Sequence, residues 1–79
     1  MNVRIQEVVE YLELLKEDID ASKRFKEKTE IIIAILTSNG ELAIEKALIG
    51  LEELNSLEMS SYNRTQVWDV ISMLESLKL

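Results

Sequence analysis

Apolar side chains return every three or four residues in four separate stretches of this chain, the spacing that lines one face of a helix. In the first stretch Ile5, Val8, Val9, Leu12 and Leu15 form the stripe, while Gln6, Glu7, Glu10, Glu13 and Glu17 cover the other faces, predicting a helix over about residues 3–17. Asp18, Asp20 and Ser22 then offer side-chain oxygens to start a second helix that runs to about Leu36. Its end, Ile31-Ile32-Ile33-Ala34-Ile35-Leu36, is β-branched enough to read as a buried strand, but no second strand candidate exists to pair with it. Thr37-Ser38-Asn39-Gly40 is the clearest stop. A third helix is expected from about Glu41 to Leu54, with Ile44, Ala47, Leu48, Leu51 and Leu54 as its stripe. After Asn55, Ser56, Ser60 and Ser61, the residues Val67, Val70, Ile71, Leu74 and Leu77 repeat the pattern in a fourth.

Four stripes joined by short connections predict an all-α fold, a four-helix bundle in which residues 1–79 form a single domain. With 79 residues the chain is too short for two cores, and its 47% hydrophobic content is enough for one. An internal repeat runs through the pattern. Ile5, Val8, Leu12 and Leu15 map onto Ile44, Ala47, Leu51 and Leu54 at an offset of 39, and after a slip in the loops Arg24 and Ile31 map onto Arg64 and Ile71. Two pseudo-repeated helical hairpins would give this pattern, since neither alone covers its stripe; generic helical spacing is the competing explanation.

Composition narrows the chemistry. The chain has no cysteine and no histidine, which removes disulfides, thiolate and imidazole metal ligation, and histidine acid–base catalysis. No nucleophile–base pair or phosphate-cradling loop is visible, so no enzyme, no cofactor and no metal site is expected. Glu10, Glu13 and Glu17 share one side of helix 1, but a carboxylate metal centre in a bundle needs inward glutamates with histidines, so a solvated face is the better reading. A net charge of −6 opposes contact with phosphates and anionic membranes, and no apolar run reaches the length of a membrane span. A cytoplasmic protein is expected. Lys23, Arg24, Lys26 and Lys28 are the one basic cluster; with Trp68 or Tyr62 nearby they would form a weak nucleic-acid surface, yet Glu27 and Glu30 interleave with them.

Three residues stand out for structural reasons. Arg24 and Arg64 each lie in the first turns of a helix, placed to donate to the carbonyl-rich end of the preceding one and so pin the loop. Gly50 interrupts a helix interior at a cost of about 1 kcal/mol relative to alanine, and close packing by a large side chain would compensate. Asn63-Arg64-Thr65 matches a glycosylation acceptor, an accidental match in a chain with no secretory signal.

The second half, Ala47-Leu48-Ile49-Gly50-Leu51-Glu52-Glu53-Leu54, then Met59 and Arg64-Thr65-Gln66-Val67-Trp68-Asp69-Val70-Ile71-Ser72-Met73-Leu74-Glu75, resembles an uncharacterised family of small archaeal helical proteins. The first half, from Val8 through Asp18 and Arg24 to Leu36, is similar more loosely. The resemblance implies a four-helix fold and no assigned activity. The prolines usual in both inter-helix loops of that family are missing here.

More apolar surface is present than four stripes consume. Ile31, Ile33 and Ile35 on helix 2, Leu42 and Ile49 on the back of helix 3, Leu14 on helix 1, and Trp68 and Met73 beside the helix 4 stripe make up the excess. Such a surface marks a protein interface, most commonly a symmetric homodimer, unless the core is wider than ideal helices imply. The expected function is therefore a non-catalytic helical interaction or structural module that self-associates through these faces. The alternative is a small-ligand or weak nucleic-acid binder using the groove at Gly50 or the basic start of helix 2.

Overall fold

Serine oxygens punctuate the helices. In the computed structural model, which describes residues 3–18, 21–38, 42–57 and 60–77, the chain forms α1 (Val3–Lys16), α2 (Lys23–Thr37), α3 (Ala43–Asn55) and α4 (Ser61–Glu75), an all-α four-helix bundle. Ser22 Oγ accepts from the Phe25 amide at 3.1 Å and Ser60 Oγ accepts from the Asn63 amide at 3.1 Å, each satisfying a donor that has no partner inside its helix. Of the three expected cap candidates before α2, Ser22 is the cap, and Asp20 lies outside the described residues. At the other ends, Ser38, Ser56 and Ser76 donate their hydroxyls to the carbonyls of Ile35, Glu53 and Met73 at 2.6–2.7 Å. The run from Ile31 to Leu36 is helical, inside α2. The stop predicted at Asn39 and Gly40, and the expected first residue of the third helix, Glu41, lie outside the described residues; α3 begins two positions later than expected, after Leu42, whose φ of 64° is left-handed.

The four helices pack in cyclic order. The α2/α3 seam is the most extensive and α1/α4 the least, while the diagonal pairs α1/α3 and α2/α4 do not touch among the described residues. Stripes from all four meet in one core, in which Leu12, Phe25, Ile32, Leu36, Leu51, Leu54 and Leu74 are fully buried. Each such side chain contributes about 1.5–3 kcal/mol relative to an exposed position.

Burial shows the repeat directly. Val8, Val9, Leu12 and Leu15 of α1 are buried, and so are Ala47, Leu48, Leu51 and Leu54 of α3, at the expected offset of 39. In the second helix of each hairpin Phe25, Thr29, Ile32 and Leu36 match Asn63, Val67, Val70 and Leu74, an offset of 38 that also superposes the caps Ser22 and Ser60. The connection before α4 is one residue shorter than that before α2, so the slip runs opposite to the one read from the sequence. Arg24 therefore matches Tyr62, and Arg64 matches Lys26. The caps fix this register, and the shared arginines do not.

Ile32, fully buried on α2, explains the glycine in α3. A Cβ added at Gly50 would meet Ile32 Cγ1 at 2.9 Å, closer than carbon atoms normally approach, so a missing side chain is what lets the α2/α3 seam close. Two polar side chains are buried. Thr29 donates its hydroxyl to the Phe25 carbonyl at 2.7 Å, whereas Asn63, which stands where the first hairpin has Phe25, keeps a buried Oδ1 with no hydrogen-bond partner. Gly50→Leu should lower stability by about 2 kcal/mol in urea unfolding, because the added atoms overpack a seam already in contact. Asn63→Leu should raise it by about 1 kcal/mol, since it removes an unsatisfied acceptor and leaves the Ser60 cap to the backbone amide intact.

Candidate interaction face

The residues singled out for interaction divide between two faces. Ile31, Leu42, Ile49 and Trp68 are 56%, 59%, 58% and 53% exposed, and Ile35 is half-buried against the core. Helix geometry assembles them around α3. Gly50 fixes the side of α3 that meets α2, and Ile31 and Ile35 flank Ile32 toward that seam. Ile49 and Leu42 share the outward face of α3, seven residues or two turns apart. Ile49 also borders, with Glu45, Leu48 and Glu52, a shallow depression closed on the α4 side by Glu75; Trp68 stands two turns before Glu75 on that side of α4. These five residues thus lie on one side of the bundle, in a band across α2, α3 and α4 that the carboxylates of Glu45, Glu52 and Glu75 interrupt between Ile49 and α4. Met73 does not join it. It lies on the α1 side of α4, half-buried, beside Arg4, Glu7 and Ser76.

The repeat supplies an internal comparison. At the positions that match Ile49, Ile31 and Trp68, the other hairpin carries Glu10, Asp69 and Glu30. At these three positions the two faces differ, carboxylates standing on the α1 side and apolar side chains on the α3 side, whereas Leu42 matches Val3, which is itself 70% exposed.

The two arginines also differ. Arg64 donates from Nη1 to the carbonyl of Asn55 at 3.0 Å and to its side-chain oxygen at 3.4 Å, tying α4 to the last residue of α3. Arg24 is exposed and makes no hydrogen bond or ion pair among the described residues. The cause is register: Arg24 is two residues past its serine cap, Arg64 four past its own.

Two of the four residues of the basic cluster lie against carboxylates. Lys28 pairs with Glu53 at 2.6 Å across the α2/α3 seam, and Lys23 lies 4.0 Å from Glu27. Neither Tyr62 nor Trp68 joins the cluster, because α4 sits diagonally from α2. Glu10, Glu13 and Glu17 are exposed on α1, and no group of three or more metal-ligating side chains is found among the described residues. No helix is long and apolar enough to cross a membrane among them.

Sequence reading missed the α1/α4 seam. Tyr11 donates its hydroxyl to Asp69 across it in a long hydrogen bond of 3.4 Å. Burial pushes the Tyr11 phenol above its ordinary value, and the Asp69 carboxylate, as a negative neighbour and as hydrogen-bond acceptor, adds to the rise, with a smaller contribution from Tyr62. Beside this pair a cleft of about 410 Å³ opens between Tyr11, Leu14, Tyr62 and Gln66, with Glu17 and Asp18 at its end. The signal for it was the pairing of Tyr11 with Gly50 in the repeat.

No family model, curated protein or solved structure matches this chain, so its function is argued from this geometry.

A raised phenol pKa means that the neutral form is favoured by folding. The stability tied to it is fully present below the unfolded value of about 10 and is lost as pH rises through the folded value. Thermal unfolding followed from neutral to strongly alkaline pH should show Tyr11→Phe losing less stability than the parent above about pH 10. In a spectrophotometric tyrosinate titration, Asp69→Asn should bring the higher-titrating phenol down.

Proposed function

We propose that this protein is a non-catalytic helical module that self-associates, as a symmetric homodimer, through the apolar band centred on α3. The observation that carries this reading is the contrast at matched positions: Ile31, Ile49 and Trp68 stand where the other hairpin in each case has Asp69, Glu10 and Glu30. The core is already complete without these side chains, so their burial has to come from outside the bundle. A second copy provides it by an isologous contact in which the same band covers itself.

Charge supports self-association over the nucleic-acid alternative. Glu45, Glu52 and Glu75 border the band, and the chain carries a net charge of −6. Two such surfaces repel one another and a phosphate backbone alike. Salt therefore acts in opposite directions in the two readings, strengthening an apolar contact between like-charged copies and weakening any nucleic-acid complex. The small-ligand alternative at Gly50 is disfavoured because Ile32 occupies that groove. The same chemistry, with no thiol or imidazole in the chain, fits a protein that works in the cytoplasm by contact and carries no cofactor.

Light scattering coupled to size-exclusion chromatography should give twice the chain mass, with the dimer fraction growing as salt is raised. The double variant Ile31→Glu and Ile49→Glu should run as a folded monomer with unchanged helical circular dichroism. A parent that stays monomeric at millimolar concentration in high salt would refute self-association.

A further inference from the structure

A cleft appears on one of two matched seams, and the repeat shows what opened it. The α2/α3 seam is closed by Gly50 against Ile32 and sealed at its edge by the Lys28–Glu53 ion pair. At the matching positions of the α1/α4 seam, Gly50 is replaced by Tyr11, Lys28 by Gln66, Glu53 by Leu14 and Arg24 by Tyr62. All four replacements line the cleft. An aromatic ring in place of a glycine holds the helices apart, and a leucine facing a glutamine cannot reproduce the ion pair.

The walls have a definite chemistry. Tyr11 and Tyr62 offer ring faces, and Leu14, 70% exposed, gives an apolar side. Carboxylates of Glu17 and Asp18 stand at the end, Asp69 anchors the Tyr11 hydroxyl, and no lysine or arginine lines the opening. Ring faces attract cations, carboxylates and an amide oxygen accept N–H bonds, and the leucine covers a methylene stem.

We propose that the α1/α4 cleft binds an alkylammonium group, its methylenes against Leu14, its cationic head between the Tyr11 and Tyr62 rings and the Glu17 carboxylate. The head group comes either from a free aliphatic amine or from a lysine side chain on another polypeptide. Binding here is independent of the α3 band, which lies on the opposite side of the bundle.

The test is a titration of the full chain, followed by amide chemical shifts, with n-butylammonium, with 1-butanol as its neutral analogue, and with a short peptide carrying one lysine. The expected result is saturable shifts at Tyr11, Leu14, Tyr62 and Gln66 with n-butylammonium in the millimolar range, and binding about tenfold weaker for 1-butanol and for Tyr62→Ala. Tyr62 is 65% exposed, so its loss leaves the core intact. Glu17→Gln, also on the surface, should weaken binding in the same direction. A lysine peptide that binds more tightly than n-butylammonium assigns the site to a polypeptide side chain; one that binds no better assigns it to a free amine. Equal responses to n-butylammonium and 1-butanol, shifts gathered instead at Glu45, Glu52 and Glu75, or no shifts at all would each overturn the proposal.

Discussion

Neither hairpin of this chain can bury its own stripe, and that shared deficit organises the molecule. Each of the four helices touches only its two neighbours in the ring, and the buried residues of all four converge on one core. Because no single helix of 13–15 residues is stable alone in water, helix formation and core formation are one event. The contact that sets the spacing is Ile32 on Gly50. It draws α2 and α3 together along the most extensive seam, and the other seams adjust to it.

On this frame the two halves differ at buried, solvent-facing and seam positions alike. Among the described residues buried positions stay apolar with two exceptions, Asn63 in the place of Phe25 and Thr29 in the place of Val67. At three solvent-facing positions the character changes, Glu10, Glu30 and Asp69 matching Ile49, Trp68 and Ile31, and at Leu14 against Glu53 it changes the other way. Seam positions change size, tyrosine against glycine. A symmetric frame bearing asymmetric surfaces separates what holds the protein together from what it has available for recognition.

Much of the fold was legible because helical periodicity depends only on which residues are apolar. All four helices and the stripes of α1 and α3 follow from it, as does the hairpin repeat. The strand alternative at Ile31 to Leu36 could not be settled by periodicity, since a run that is apolar nearly all round carries no phase; the run is helical, with Ile32 and Leu36 buried and Ile31 exposed. The register of the second repeat was misread because arginine identity was weighed above cap position, and Ser22 and Ser60 fix the register through hydrogen bonds to the Phe25 and Asn63 amides. The exposure of Ile31, Leu42, Ile49 and Trp68 was legible as excess hydrophobicity. Their division from Met73 was not, because it depends on which neighbour each side of α4 faces. The cleft at Tyr11 was hidden for a similar reason: it arises from four substitutions on two helices that are distant in sequence.

The depression shared by Arg4, Glu7, Met73 and Ser76 places the start of α1 beside the end of α4. Covalent order is therefore nearly incidental to this architecture. Joining the two ends by a short peptide and cutting the backbone between positions 38 and 42 would yield a circular permutant running α3, α4, α1, α2, with each of the four seams still bringing together the same pair of helices.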